Sequence, residues 1–293
     1  MERIHTVEAM QAYADARRAE GERLALVPTM GALHEGHLAL VRTAKERADR
    51  VVVSVFVNPT QFGPGEDYER YPRDLEGDAQ QLEALGVDVL FAPTVEAMYP
   101  GEPLDDQEPA LAWVEVERLD EHLCGRYRPG HFRGVTTVVA KLFNACKPHV
   151  AVFGRKDAQQ FVIIRRMVEE LLFDVEIVGV PTVREPDGLA LSSRNAYLSA
   201  DERAQATVLY RAVEAARKRI QAGEQRGRAI VEAMRKELDR APDARVQYAE
   251  VVDAATLQPL DRIEAGQHVL VAVAVFFGET RLIDNAFVRA SSA

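Results

Sequence analysis

The 293-residue sequence predicts an α/β protein with a second, smaller α+β domain, on three observations. Apolar runs alternate with helical patterns up to about residue 180, which is typical of a parallel sheet covered by helices. The run Val51–Val57 is almost continuously β-branched, as in a strand buried on both faces. After Pro181 the pattern changes to two helices and then three strands. We therefore predict domains at residues 1–182 and 183–293.

In the first domain each predicted strand is followed by a loop, and most by a helix. Strands are predicted at Arg23–Pro28, Val51–Val57, Val87–Phe91, His149–Phe153 and Val175–Val178. Helices are predicted at Leu38–Ala48, Leu75–Leu85, Gly134–Cys146 and Ala158–Leu172. The loops after parallel strands are expected along one edge of the sheet, where ligands bind.

The second domain begins with helices and ends with strands. The helices are predicted at Ala200–Ala222 and Arg226–Ala241. The strands are predicted at Val246–Val252, His268–Phe277 and Thr280–Phe287, with a short polar hairpin turn at residues 278–279.

Composition argues against several classes of protein. The net charge of −10 argues against a nucleic-acid partner, because phosphate backbones attract basic surfaces. The apolar runs are far shorter than the roughly 20 residues that span a bilayer, and the amino terminus lacks a signal-peptide core. We therefore expect a cytoplasmic protein without a membrane partner. Cys124 and Cys146 are too few for a disulfide framework and are expected to be reduced.

The most informative stretch is PTMGALHEGH, residues 28–37, which lies between the first strand and its helix. Its glycines allow the backbone to approach a phosphate, and a helix amino terminus favours an anion. His34 and His37 are three residues apart, so their imidazoles fall on one side and can donate to phosphate oxygens. The alternatives are an ordinary surface helix and a zinc pair. No further Cys or His lies nearby at the spacing of zinc ligands, so nucleotide phosphate binding is favoured.

Three other segments carry polar groups suited to the same crevice. Leu191–Asn195 offers two hydroxyls and a guanidinium that can clamp a polyphosphate, although Ser-Ser-Arg also occurs as ordinary helix capping. Lys156 could neutralise a phosphoryl group and Asp157 could hold a ribose or a metal, or both residues simply begin a solvated helix. Gln61 can bind a substrate carboxylate or hydroxyl without adding charge.

With these residues assembled, the chain resembles the pantothenate synthetase (pantoate–β-alanine ligase) family over nearly its whole length. Six segments carry the likeness, in the order PTMGALHEGH, FVNPTQFG, YPRDLEGD, RPGHFRGV, FGRKDAQQF and LSSRN. HEGH is similar to the HxGH signature of the nucleotidylyltransferase superfamily, which by itself leaves several activities open. The resemblance implies a Rossmann-like domain that binds ATP and pantoate. The small domain would close over it as a lid, because a reactive adenylate must be shielded from water.

The resemblance also implies a reaction and its residues. (R)-Pantoate attacks ATP, with Mg²⁺, to give pantoyl adenylate and pyrophosphate, and the amine of β-alanine then displaces AMP to give pantothenate. His34, His37 and Lys156 are the implied catalytic residues, with His37 as proton donor. Gln61 and Gln160 are implied to bind pantoate, and Gln61 also to bind β-alanine. The implied ATP contacts are Met30, Gly31, Ala32, Leu33, His34, Glu35, Gly36, His37, Gly154, Arg155, Lys156, Asp157, Val183, Leu191, Ser192, Ser193 and Arg194.

Two positions depart from the family pattern. Asp78 is similar to a magnesium-associated acidic position, but the residue before it, often acidic in the family, is Gly77 here. The residue after Asp157, commonly aromatic, is Ala158. The family is typically dimeric, so a homodimer is expected. The alternatives are a nucleotidylyltransferase that releases only pyrophosphate, a nucleotide-sensing module, and a tRNA synthetase fragment. The last would need a basic surface that the charge of −10 does not supply.

Overall fold

The computed structural model describes residues 1–101 and 110–291. The chain folds into two compact units, each assembled from separate segments. The first unit takes in Met1–Glu117, Arg128–Arg155 and Ile163–Pro181. The second takes in Arg118–Tyr127, Lys156–Val162 and Thr182–Ala293. The division at residues 182 and 183 stays a prediction.

The first unit is built on a parallel sheet. In the described residues this sheet has six strands: β1 (Glu2–Ile4), β2 (Leu24–Thr29), β3 (Arg50–Val55), β4 (Val89–Phe91), β5 (Val150–Gly154) and β6 (Glu176–Val180). Their spatial order is β1-β4-β3-β2-β5-β6, and every neighbouring pair runs parallel. Val51, Val52 and Val53 of β3 are fully or almost fully buried, as the β-branched run predicts.

The strand order reverses beside β2. From β2 the chain adds β3 and β4 on one side, and it later places β5 on the other side. In open parallel sheets ligands bind outside the carboxyl ends of the strands at such a switch point. The residues that follow β2 and β5 are therefore the first candidates for a binding site.

Ten α-helices appear in the described part of the chain. They are α1 (Val7–Ala19), α2 (Glu35–Lys45), α3 (Leu75–Ala84), α4 (Val95–Met98), α5 (Leu123–Tyr127), α6 (His131–Cys146), α7 (Ala158–Glu170), α8 (Ala200–Gln205), α9 (Val208–Gln221) and α10 (Gly227–Leu238). Across residues 1–101 and 110–291, no helix combines the length and the apolar content needed to cross a membrane. Leu40 and Val41 of α2 pack in one buried cluster with Ala25 and Val53 of the sheet.

The second unit is built on an antiparallel sheet. Its three strands within the described residues are β7 (Ala244–Asp253), β8 (His268–Phe277) and β9 (Thr280–Arg289), in that spatial order. Val213 of α9 and Met234 of α10 share a buried cluster with Val271 and Val273 of β8. A parallel α/β unit followed by a smaller α+β unit confirms the predicted fold class.

The prediction of one helix at Ala200–Ala222 is wrong, because α8 and α9 are separate helices. The Thr207 hydroxyl donates to the carbonyl oxygen of Ala204 at 3.2 Å. The Leu209 N–H donates to the carbonyl oxygen of Ala206 at 3.2 Å, three residues back rather than four. A competing side chain and a tighter backbone bond together interrupt the α-helical ladder.

Candidate active site

The loop after β2 makes a left-handed turn. Gly31 has φ 84° and Ala32 has φ 51°, a region that costs a non-glycine residue about 1 kcal/mol. A Cβ atom on Gly31 would lie 2.9 Å from Asp78 Oδ2 and 3.0 Å from Val55 Cγ1. Glycine is therefore required here by close packing as well as by φ. The second glycine of the motif, Gly36, lies in the first turn of α2, without a left-handed φ.

Asp78 of α3 braces this turn. Its Oδ2 accepts the N–H of Ala32 at 2.9 Å, and its Oδ1 accepts the N–H of Leu33 at 2.7 Å. The side chain is buried, and the residue is 2% exposed. Burial raises the pKa of Asp78 above its ordinary value, although the two backbone N–H groups favour the ionised form. The turn is thus held by two hydrogen bonds to a buried carboxyl group.

The magnesium role of Asp78 stays a prediction, and the contacts of this residue do not favour it. Both carboxylate oxygens already accept from the loop backbone. In the part of the chain that the structure describes, no three His, Cys, Asp or Glu side chains group so that they could hold a metal. His34 and His37 accordingly belong to no such group of three within the described ranges. These residues therefore do not form a ready-made cation site.

His34 and His37 cap the amino terminus of α2. His34 is the N-cap residue, and its Nδ1 accepts the N–H of Gly36 at 3.1 Å. His37 Nδ1 accepts the N–H of His34 at 3.3 Å. The ring centroids are 4.1 Å apart, which confirms that the two imidazoles lie on one side. Because a backbone N–H only donates, the neutral rings carry their protons on Nε2. Each Nε2–H is a donor of the kind that a phosphate oxygen accepts.

Gln61 lies in a 3-10 turn, Pro59–Gln61, that follows β3, and the residue is 9% exposed. Asn58 contacts it directly. Asn58 Nδ2 donates to Gln61 Oε1 at 3.2 Å and to the carbonyl oxygen of Gly134 at 3.2 Å. Asn58 Oδ1 accepts the hydroxyl of Tyr99 at 2.7 Å. The Gln61 carboxamide is therefore held by a hydrogen-bonded network behind it.

This network determines which way the carboxamide points. The carbonyl oxygen of Gly134 only accepts, so the Asn58 atom that faces it is the nitrogen. The same nitrogen faces Gln61, so the Gln61 atom on that side is Oε1. Gln61 Nε2 consequently points away from Asn58 and lies 3.0 Å from Met30 Sδ, a weak acceptor. Gln61 presents a donor on the side of the loop after β2.

The sequence interpretation assigned no role to the residues of RPGHFRGV that support this turn. His131 Nδ1 donates to the backbone oxygen of Gln61 at 2.7 Å. Arg128 makes a bidentate pair with Glu66 at 2.7 and 2.6 Å. A Cβ atom on Gly134 would come within 2.3 Å of the turn backbone, so α6 approaches the turn closely only with glycine here. The segment was among the six that carry the family resemblance, but no sequence pattern predicted which residues it contacts.

The first unit thus collects part of the predicted site at the carboxyl edge of its sheet. The residues placed there are Met30 to His37 after β2, Gln61 after β3, and Gly154 and Arg155 at the end of β5. The Arg155 N–H donates to the carbonyl oxygen of Val180 at 2.8 Å, which closes the end of the β5–β6 pair.

The remaining predicted residues belong to the second unit. Lys156 is half-buried, and its backbone oxygen accepts Asn285 Nδ2 at 2.6 Å. Gln160 is half-buried, whereas its neighbour Gln159 is buried and bonds three backbone groups of the segment 118–127. The two glutamines of the motif therefore differ, and the buried one is structural.

The segment Leu191–Arg194 is also ordered by its own contacts. The Leu191 N–H donates to the carbonyl oxygen of Val183 at 3.0 Å. Ser192 caps the 3-10 helix Ser193–Tyr197, and its Oγ accepts the N–H of Arg194 at 3.3 Å. The capping alternative therefore describes Ser192 in this structure. Phosphate contacts by Ser193 and Arg194 stay predictions, as does any nucleotide contact by Asp157, which is exposed.

Comparison with known proteins identifies relatives that match all or nearly all of the chain. The profile of the family described as Pantoate-beta-alanine ligase matches residues 2–287. A pantothenate synthetase from Salinibacter ruber is 71% identical, over 100% of this chain and 99% of the relative. A crystal structure of pantothenate synthetase from Thermus thermophilus has a TM-score of 0.88 and 49% identity, covering 98% of this chain and 99% of that one. The Francisella tularensis pantoate-beta-alanine ligase, complexed with beta-gamma ATP and beta-alanine, has a TM-score of 0.76 and 32% identity, covering 98% and 97%.

Replacement of Asp78 by Asn tests the brace. The carboxamide offers one acceptor oxygen where the carboxylate offers two, so one loop N–H would face an NH₂ group. We expect the amide hydrogens of Ala32 and Leu33 to exchange about fivefold faster, for a loss of roughly 1 kcal/mol. Site-resolved hydrogen exchange measures this. Asp74→Asn, which alters the carboxylate that caps α3 through Gly77, is the matched control and should leave both loop amides unchanged.

Asp78→Asn also has a pH signature. Because the pKa of Asp78 is raised, the folded protein holds this proton more tightly than the unfolded chain does. The contribution of this group to stability is therefore fully present below the unfolded pKa and is lost as the pH rises through the folded pKa. The free energy of unfolding is measured at increasing pH, from about pH 4, near the ordinary Asp pKa. It should show this loss in the wild type and not in Asp78→Asn. Equal pH slopes in both proteins would contradict the burial of a titrating carboxyl group.

Proposed function

Because the chain belongs to the pantoate–β-alanine ligase family, we propose that it joins (R)-pantoate to β-alanine with ATP, giving pantothenate, AMP and pyrophosphate. The observation that carries this proposal is the capped amino terminus of α2 at the switch point of the sheet. There His34 and His37 carry Nε2–H donors beside a braced backbone turn. A cytoplasmic location and a homodimer remain predictions from the sequence.

In the first half-reaction, a carboxylate oxygen of pantoate bonds to the α-phosphorus of ATP. The bond from that phosphorus to the bridging oxygen of pyrophosphate breaks, which leaves pantoyl adenylate. The attacking carboxylate is already ionised, so this step needs no general base. It needs alignment and stabilisation of charge on the departing pyrophosphate. The imidazole donors of His34 and His37 and the N–H groups of the first turn of α2 have that chemistry.

In the second half-reaction, the nitrogen of β-alanine bonds to the acyl carbon of the adenylate. The bond from that carbon to the AMP oxygen breaks, AMP leaves, and the nitrogen gives up a proton. A relative solved with beta-gamma ATP and beta-alanine supports both substrates for this family. The pyrophosphate has left before this step, so groups that act on it are not needed again.

Pantoate offers acceptors, a carboxylate and two hydroxyl oxygens, and Gln61 offers a donor. The network behind Gln61 points its Nε2 away from Asn58, which suits a substrate oxygen. An uncharged donor binds the acid without neutralising the carboxylate that must attack. Gln160 of the second unit is proposed as a further pantoate ligand, and Gln61 is also proposed to lie close to β-alanine.

The nucleotide is proposed to bind as its magnesium complex. The described residues form no separate cation site, so its phosphate oxygens would supply most of the ligands. In the second unit, Lys156 and Arg194 supply the positive charge proposed to meet the phosphates. Asp157 and Val183 are proposed to contact the nucleoside.

Substrate dependence tests the two-step scheme. ATP–pyrophosphate exchange should require pantoate and should not require β-alanine, whereas release of AMP should require both. A nucleotidylyltransferase would release pyrophosphate without amine-dependent AMP, and a sensing module would release neither. Isotope exchange and chromatographic assay of AMP measure the two steps. Exchange in the absence of pantoate would contradict the scheme.

The variant His34→Asn tests the capping role of His34 separately from its role as an imidazole donor. Asparagine is among the best N-cap residues, so α2 should keep its stability, whereas His34→Ala should lose about 1 kcal/mol. Both variants lack the Nε2–H group, and both should slow ATP–pyrophosphate exchange by about a hundredfold, as for one transition-state donor. Aminolysis of supplied pantoyl adenylate should fall far less. Exchange by His34→Asn within about threefold of wild type would assign His34 to capping alone.

Tyr99→Phe tests the network behind Gln61. The variant removes only the hydroxyl that Asn58 accepts. We expect KM for pantoate to rise about fivefold, for one hydrogen bond of roughly 1 kcal/mol, with KM for ATP unchanged. Steady-state kinetics in both substrates measures this, with Tyr13→Phe in α1 as the control. An equal rise in both KM values would show a general loss of structure instead.

A further inference from the structure

Two adjacent polar residues of β9, Asp284 and Asn285, are buried in the second unit at 2% and 6% exposure. Successive residues of a strand normally point to opposite faces, so an adjacent buried polar pair must find partners on both sides. Their partners lie in two separate segments, and each of those segments contains proposed phosphate contacts.

Asp284 anchors the segment that leads to Leu191–Arg194. Its two carboxylate oxygens accept Arg184 Nη1 at 2.7 Å and Nη2 at 2.9 Å. Arg184 Nη1 also donates to the carbonyl oxygen of Gly188 at 3.0 Å, and Arg184 forms a β-bridge with Ala190. The guanidinium therefore fixes both arms of the short hairpin that ends one residue before Leu191.

Asn285 anchors the other segment. Its Nδ2 donates to the backbone oxygen of Lys156 at 2.6 Å, two residues before α7 begins. Its own N–H donates to Asp284 Oδ1 at 2.8 Å, so the two anchors share one carboxylate. A chain of hydrogen bonds runs from the 184–190 hairpin through Arg184, Asp284 and Asn285 to Lys156.

We propose that Asp284 and Asn285 are positioning residues, which set the backbone of Lys156 in register with the Leu191–Arg194 segment for phosphoryl chemistry. This inference rests on the proposed function. Both oxygens of Asp284 are bonded to Arg184, and Asn285 Nδ2 is bonded to Lys156, so neither group needs to touch substrate. Their effect passes through Lys156 and the hairpin, where displacements of about 1 Å are enough to cost rate.

Arg184 and Asp284 also neutralise each other. The Asp284 side chain is almost fully buried, and its charge is matched by a bidentate guanidinium. The pair therefore adds little net charge near the phosphates, as a positioning device should. The guanidinium carbon of Arg184 lies 4.7 Å from the centre of the Tyr210 ring, which further restricts its movement.

A double-mutant cycle between Asn285 and Lys156 tests the proposal. Asn285→Leu removes the donor and keeps the number and branching of the side-chain heavy atoms, and we expect it to slow pantoate-dependent ATP–pyrophosphate exchange by about tenfold or more. Lys156→Ala should slow exchange by about a hundredfold. If Asn285 acts through Lys156, the double variant should match Lys156→Ala, because residues that act as one unit are not additive.

Two further readouts distinguish positioning from general stability. Aminolysis of supplied pantoyl adenylate should stay within about threefold of wild type in Asn285→Leu, since pyrophosphate is absent from that step. Gln267→Leu, which removes a carboxamide that donates to Asp253 elsewhere in the second unit, is the matched control and should leave exchange unchanged. Any of three outcomes would overturn the proposal. The rate effects of the two substitutions could multiply in the double variant, exchange could be unchanged in Asn285→Leu, or Asn285→Leu could slow both half-reactions equally.

If Asn285→Leu does not fold, Asn285→Asp replaces it in the cycle. The ionised carboxylate has nearly the same shape but cannot donate to the Lys156 carbonyl oxygen, so the same non-additivity is expected. Wild-type protein without pantoate-dependent exchange would contradict the proposed function and not the positioning. The cycle is then read from dissociation constants for magnesium–ATP, where non-additivity supports the positioning and additivity overturns it.

Discussion

The geometry of the loop after β2 depends on the buried carboxylate of Asp78. Without it, two loop N–H groups would lose their partner, at about 1–3 kcal/mol for each one left buried. The left-handed conformation of Ala32 would then have no compensation. The carboxylate itself is unfavourably placed, since burial raises its pKa. A group that is costly to bury thus stabilises a backbone turn that is costly to form, and together they place the start of α2.

The start of α2 explains why imidazoles, rather than the usual capping side chains, occupy positions 34 and 37. A helix begins with N–H groups that have no partner within the helix, and the two Nδ1 atoms accept two such groups at this end. That contact fixes each ring and leaves the proton on Nε2. An aspartate could accept the same bond, but it would turn negative charge toward the proposed phosphate position. An imidazole ring presents an acceptor, Nδ1, to the helix and a neutral donor, Nε2–H, on its opposite side.

Periodicity and turn chemistry predicted the main strands and helices, and the structure shows why they did not predict the rest. β1 has three residues, too few to show a period, and the break at Thr207 leaves the apolar spacing around it unchanged. Within the site, the HEGH motif located both histidines because their spacing is local. The bonds from Ala32 to Asp78 and from Tyr99 to Asn58 join residues 46 and 41 positions apart, and such pairs leave no local pattern.

A chain with net charge −10 that acts on two anions must rely on local groups. Exposed charges are largely screened beyond about 8 Å at physiological ionic strength, so the overall charge decides little at the site itself. Arg50, for example, begins β3 at the opposite edge of the sheet, where it is paired with Glu22 and Asp88. The loop after β2 instead supplies backbone N–H groups and neutral imidazole donors, and Gln61 supplies an uncharged carboxamide. Such dipoles are already aligned in the folded protein, so they stabilise charge that develops close to them. They attract distant anions less than a net positive charge would. The proposed recognition by these groups of the first unit therefore depends on their geometry and not on net charge.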